Sequence, residues 1–134
     1  MEKENITGEQ IIKAFRDLSI YESMLGNSHK AGVYTFTADM LEFVYDIPNA
    51  LALGDIGNIK GIGPATVAKI QELVDSGTMA KLEHYKTKVP ETVLELTTIK
   101  NVGPKTAYKL YSVHGVETLD ELAKIKIAAL PFND

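Results

Sequence analysis

The sequence predicts an all-α protein made of two small helical subdomains. Three observations predict it. Apolar residues recur at three- and four-residue spacing along nearly every segment. Residues that start and stop helices punctuate those segments at short intervals. No run of alternating β-branched residues exceeds a few positions: the nearest, Val33-Tyr34-Thr35-Phe36-Thr37, continues at helical spacing through Met40, Leu41 and Val44.

Taken in order, Thr7-Gly8-Glu9-Gln10 has the form of a capping box, with the Thr7 hydroxyl on an orphan N–H and Gln10 reaching back. Ile11, Ile12, Phe15, Leu18 and Leu25 follow on one helical face, and Gly26-Asn27 ends that helix. Ser28 begins or caps the next, whose expected buried face is Val33, Phe36, Thr37, Met40, Leu41 and Val44. That choice leaves Lys30 and Tyr34 at its edge, and Pro48 is read as its stop. Asn49 to Asp55 is a link with one helical turn over Ala50-Leu53. A helix through Val67, Ile70, Leu73 and Val74 ends at Gly77, and Met79, Leu82 and Tyr85 mark a short helix after it.

Lys86-Thr87-Lys88-Val89-Pro90 is polar and proline-terminated, so it is the expected boundary between a first unit, residues 1–88, and a second, 89–134. Val93, Leu94 and Leu96 open the second unit; a helix through Ala107, Leu110 and Val113 closes at His114-Gly115. Thr118-Leu119-Asp120-Glu121 is another capping box, opening a helix over Leu122 and Ile125. The tail from Lys126 carries no pattern.

Composition narrows the function. With 134 residues, 45% of them hydrophobic, the chain supports a real core. No stretch approaches the roughly 20 apolar residues of a membrane helix, and the charged start Met1-Glu2-Lys3-Glu4-Asn5 is not a signal peptide. Cysteine is absent, which removes disulfides and thiolate metal sites. An intracellular monomer, in cytoplasm, nucleus or a virus-infected cell, is expected. The net charge of −4 runs against the basic balance usual in nucleic-acid binders. A local basic face, rather than the sum, decides phosphate contact, and part of the acid lies in Glu2, Glu4, Glu9, Asp17 and Glu22 at one end and Glu117, Asp120 and Glu121 at the other.

The chain is organised around a repeat. Ile59-Lys60-Gly61-Ile62-Gly63-Pro64-Ala65-Thr66-Val67-Ala68-Lys69 returns forty positions later as Ile99-Lys100-Asn101-Val102-Gly103-Pro104-Lys105-Thr106-Ala107-Tyr108-Lys109. Each copy reads as a tight turn opening into a helix with proline at its first position. A helix N-terminus offers unpaired N–H groups and a partial positive charge, which an anion accepts. Glycine at 61 and 63 removes the β-carbon that would hold a phosphate away, and Asn101 is the non-glycine residue most at ease in the left-handed region. Backbone contacts of this kind ignore base sequence. Gly61, Gly63, Ala65 and Thr66, with Asn101, Gly103, Lys105, Thr106 and Lys109, are the expected DNA-backbone contacts. The outward carbonyls of Gly57, Ile59 and Ile62, and of Thr97, Ile99 and Val102, are the expected seat of a sodium or potassium ion at each turn; no other cofactor is expected. One such turn alone would equally mark a plain helix–turn–helix corner; the duplication favours DNA.

These stretches resemble helix-hairpin-helix motifs, and nearly the whole chain is similar to the amino-terminal part of family X DNA polymerases, the DNA polymerase beta group. The resemblance assigns residues to about 88 to a lyase domain and those from about 90 to a duplex-binding subdomain. It implies removal of 5′-deoxyribose phosphate in base excision repair on gapped, nicked or 5′-phosphate-bearing DNA. It places Lys69 as the Schiff-base nucleophile, and His29, Lys30, Tyr34 and Lys81 around the 5′-phosphate. Two positions depart from the family: Ala65 stands where a pocket lysine is frequent, and Thr35 where a basic residue follows the tyrosine. The polymerase palm is missing, so polymerase activity is not expected of this chain, which is a free-standing small protein or a piece of a longer one.

Schiff-base formation needs a neutral amine, whereas free lysine has a pKa of about 10.4; Lys30 and Lys81 are the cations expected to favour it. Lys109, in the equivalent place of the second copy, shows that a lysine there also serves as a plain phosphate neutraliser. The competing readings are therefore a non-catalytic DNA-binding module and, from the acidic balance, a protein-interaction domain that no longer binds DNA. His84 and His114 have no metal-ligand spacing, and Tyr108 and Tyr111 are expected to pack.

Overall fold

The computed structural model describes residues 6–124. The expected helix residue Ile125, the tail from Lys126 and the first five residues lie outside them. Eight α-helices and no strand occur among the described residues: α1 Gly8–Met24, α2 Ser28–Leu41, α3 Ile47–Ala52, α4 Pro64–Ser76, α5 Ala80–Lys88, α6 Glu91–Leu94, α7 Pro104–His114 and α8 Leu119–Lys124. Short 3₁₀ turns at Ile56–Asn58 and Glu95–Thr98 lead into the two repeated turns. No helix is long and apolar enough to cross a membrane.

Local chemistry explains most boundaries. Both halves of the first capping box form: the Gln10 N–H donates to Thr7 Oγ1 at 3.1 Å and the Thr7 N–H to Gln10 Oε1 at 2.8 Å. Gly77 and Gly115 end α4 and α7 in the left-handed conformation (φ +79° and +71°). At α8 the Glu121 N–H donates to Thr118 Oγ1, and its carboxylate accepts from the Glu117 N–H.

Two expectations are corrected. The first concerns Pro48. Helix α2 ends at Leu41; Asp46 then caps α3 through the Asn49 N–H (3.1 Å), and Pro48 stands in the first turn of α3. It starts a helix, because a proline there forfeits no hydrogen bond. The second concerns the buried face of α2, which is Ala31, Tyr34, Thr37, Ala38 and Leu41. Phe36 is 38% exposed, and Val33, Met40 and Val44 are half-buried. Apolar residues surround this helix, so spacing alone did not choose the face.

Around the boundary expected at 86–90, side-chain contacts run continuously. Val89 is buried, and its carbonyl accepts from the fully buried Tyr21 hydroxyl at 2.9 Å. Tyr21 also stacks on Tyr85 (centroids 5.4 Å, 29°). Helix α1 is the common wall: it packs along α2 and also touches α4, α5, α6 and α7. Ile11, Phe15 and Leu18 of α1 share one apolar cluster with Ile70 and Leu73 of α4 and with Val93, Leu96 and Leu110. Each such side chain contributes about 1.5–3 kcal/mol on burial.

Candidate nucleic-acid interface

The two repeated turns have one backbone geometry. Ile59 N–H donates to Ile56 O (3.1 Å) and Ile62 N–H to Ile59 O (3.0 Å); forty residues on, Ile99 donates to Leu96 (3.2 Å) and Val102 to Ile99 (3.0 Å). Gly61 has φ +97° and Asn101 φ +71°, so the left-handed asparagine is where the sequence puts it. Ile62 and Val102, 5% and 4% exposed, anchor each turn in the core. Gly63 (φ −94°, ψ 178°) and Gly103 (φ −89°, ψ −178°) are the extended N-caps of α4 and α7, and neither helix has a side-chain cap. The early N–H groups of both helices, at Ala65 and Thr66 and at Lys105 and Thr106, therefore face an uncapped end.

The glycines differ in their reasons. A β-carbon on Gly63 or Gly103 would meet nothing within 4 Å, so space lies open above each helix end. A β-carbon on Gly61 would fall 2.6 Å from Phe36 Cε2. Gly61 is thus required by its positive φ and by the Phe36 ring beneath it, rather than by clearance for a ligand. The same contact brings α2 to the first turn: Ser28, His29, Gly32, Val33, Phe36 and Gly61 line one shallow groove. His29 and the first turn are therefore neighbours.

Around the other site residues the structure is equally specific. Lys30 is exposed one helical turn before Tyr34. Tyr34 is not an edge residue; it is 6% exposed, packs on Phe15 (centroids 6.0 Å), and its hydroxyl accepts from Lys81 Nζ at 3.0 Å. Lys81 Nζ also meets Glu22 Oε2 at 3.0 Å. Glu22, counted from sequence among remote surface acids, is fully buried. Its carboxylate accepts from Asn27 Nδ2 (2.8 Å) and the Tyr85 hydroxyl (2.9 Å) as well as Lys81. Burial works against its charge, but the bonds from Asn27, Lys81 and Tyr85 outweigh it and hold the carboxyl below its ordinary range. Burial likewise opposes the charge on Lys81, and Tyr34 and Glu22 more than restore it, so its pKa is raised. Lys81 is a charged ammonium already paired with Glu22 and Tyr34.

Lys69 is half-buried on α4, whereas its counterpart Lys109 is exposed on α7. Neither makes an ion pair among the described residues. Thr35 bonds Ser19 (2.7 Å). The carbonyls of Ile59 and Ile99 each accept one turn hydrogen bond and keep a second lone pair for a cation. No group of three or more His, Asp or Glu among the described residues is arranged to hold a metal. Sequence reasoning missed Glu22, Asn27 and Tyr85 as parts of this site; partners separated by up to 63 positions leave no local signal.

Residues 93–130 match the SAM-like helix-hairpin-helix tandem family. The chain is 30% identical over 117 residues to DNA polymerase/3′-5′ exonuclease PolX of Bacillus subtilis (strain 168), covering 84% of this chain and 20% of that protein. It is 38% identical over 72 residues to DNA polymerase lambda of Arabidopsis thaliana, covering 53% of this chain and 13% of that protein. The chain thus spans a fifth or less of the length of these curated relatives. With the all-α fold and the duplicated turn, these matches support a helix-hairpin-helix domain similar to that of family X DNA polymerases.

Proposed function

We propose that this chain binds DNA, irrespective of base sequence, by holding backbone phosphates at its two hairpins, and that the first unit is a 5′-deoxyribose phosphate lyase with Lys69 as nucleophile. One observation carries the binding: two turns of the same geometry, each opening into a helix whose uncapped end faces open space. Gapped, nicked or 5′-phosphate-bearing DNA is the substrate class, an intracellular site of action follows from it, and a sodium or potassium ion at the hairpin carbonyls would bridge turn and phosphate. The chemistry then runs from the Lys69 amine. Nζ adds to the C1′ aldehyde of the sugar and water leaves, giving an imine. The imine acidifies the C2′ hydrogen. As a base removes that proton, the electron pair forms the C2′–C3′ double bond and the C3′–O3′ bond breaks, releasing the DNA 5′-phosphate. Water then hydrolyses the imine and frees Lys69. His29, Tyr34 and solvent are the candidate bases.

Borohydride trapping on DNA bearing a 5′-deoxyribose phosphate tests this reading. The expected result is a covalent adduct that Lys69→Ala abolishes and Lys109→Ala leaves intact. An adduct indifferent to Lys69→Ala overturns the assignment.

A second reading, a non-catalytic DNA-binding module, is favoured by the pairing of Lys81 with Glu22 and by Ala65, both of which reduce the free positive charge near the first hairpin. Salt-sensitive binding to gapped DNA with no adduct would establish it.

A further inference from the structure

Glu22 is a fully buried carboxylate that the proposed chemistry does not use. Its three donors come from two places: Asn27 from the α1–α2 corner, and Lys81 and Tyr85 from successive turns of α5. Through Lys81 it reaches a fourth group, the Tyr34 hydroxyl on α2. The direction of that last bond matters. Lysine ammonium only donates, so Tyr34 Oη is the acceptor and its own hydrogen remains to be given away. Among the described residues no acceptor takes it. The ammonium of Lys81 has three hydrogens, and two are directed at Glu22 and Tyr34. One Lys81 N–H and the Tyr34 O–H are therefore left side by side, with Lys30 one turn away on the same helix.

We propose that Glu22 is the positioning residue of the 5′-phosphate site: it fixes the Lys81 ammonium so that Lys81 and Tyr34 present two adjacent donors to a terminal phosphate monoester. This rests on the proposed DNA binding and adds to it the group that preorganises the pocket. An anionic residue is retained beside an anion site because it holds the cation in one place. The ammonium then need not be ordered when the phosphate arrives, and burial of the carboxylate keeps it from meeting the ligand.

The test compares gapped DNA carrying a 5′-phosphate with the same DNA carrying a 5′-hydroxyl, by fluorescence anisotropy on the full chain. Wild type should prefer the phosphate. Glu22→Gln should lower that preference roughly tenfold, about the worth of one charge-assisted hydrogen bond, while affinity for the 5′-hydroxyl DNA, which depends on the hairpins, stays the same. The double variant with Lys81→Met should be no worse than Lys81→Met alone, since Glu22 acts through Lys81. Tyr85→Phe, which removes one donor and leaves Lys81 in place, should lower the preference by about twofold to threefold and carries the test should Glu22→Gln not fold. An unchanged preference in a folded Glu22→Gln or Tyr85→Phe protein overturns the inference. So does an increased one, which would make Glu22 a competitor for Lys81. No phosphate preference in wild type overturns the 5′-phosphate site itself, while hairpin binding to both DNAs would stand.

Discussion

The two hairpins are built on the same backbone from different residues, and their differences lie in what surrounds them. The first has Gly61 pressed on Phe36, Ala65 at its helix start and a half-buried Lys69. Helix α2, which carries Phe36, also carries Tyr34 of the Glu22–Lys81–Tyr34 array. The second has Asn101, Lys105 and an exposed Lys109, and no buried carboxylate network was found beside it among the described residues. The second turn brings its own charge to a phosphate. The first has given up local charge and is instead tied, through Phe36 and the shallow groove, to a helix that carries His29, Lys30 and Tyr34. The proposed general grip and the proposed site for a 5′-phosphate would call for these two different surroundings.

Disrupting the array should have the largest effect on stability. Glu22→Ala leaves Lys81, Tyr85 and Asn27 without their common acceptor and should cost on the order of 3 kcal/mol, read by chemical denaturation; a loss under about 1 kcal/mol would mean that the array does not hold the first unit together. Next come the turn residues. Gly61→Ala combines left-handed strain with the clash on Phe36 and should cost about 2–4 kcal/mol. Asn101→Ala has the strain alone and should cost about 1 kcal/mol. Equal costs at the two positions would erase the distinction between the turns.

Charge exchange sharpens the comparison in binding. Ala65→Lys should steepen the salt dependence of DNA affinity by about one phosphate contact, and Lys105→Ala should flatten it by about as much. The smallest effect is in pH. The folded carboxyl of Glu22 sits below its ordinary 4.5, so its stabilisation is complete above that pH and is lost as pH falls through the lower folded value. Asp17 behaves oppositely. It is buried with the exposed Lys13 against it (2.8 Å), and burial raises its pKa above 3.8 despite Lys13 and Lys86. Its contribution improves as pH falls towards that value. Thermal melts from pH 7 to 3 should therefore show an acid-side loss that Glu22→Gln removes, and Asp17→Asn should deepen the relative loss by deleting the opposing gain.

Much of this was legible in the chain. The caps at Thr7, Gly77, Gly115 and Thr118 depend on residues three or four apart, and the left-handed Asn101 on residue type alone. The repeat located both hairpins. What could not be read depends on distant partners. Glu22 looks like any helical surface acid until Lys81 and Tyr85 are folded against it. Tyr34 was put at an edge because Val33, Phe36 and Met40 offer an equally apolar alternative face. The burial of Val89 has no local signal among lysines and proline, because its carbonyl meets the Tyr21 hydroxyl 68 positions away.

On the proposed DNA binding, that last contact has a consequence for how tightly the molecule would hold a duplex. With Tyr21 tied to Val89 and α1 lying against α7, the two hairpins sit on one core rather than on two beads joined by a tether. Binding at one end then delivers the other at a set distance and angle. The second contact behaves as an intramolecular event at high effective concentration, and DNA whose phosphates do not match that fixed span gains only one of the two.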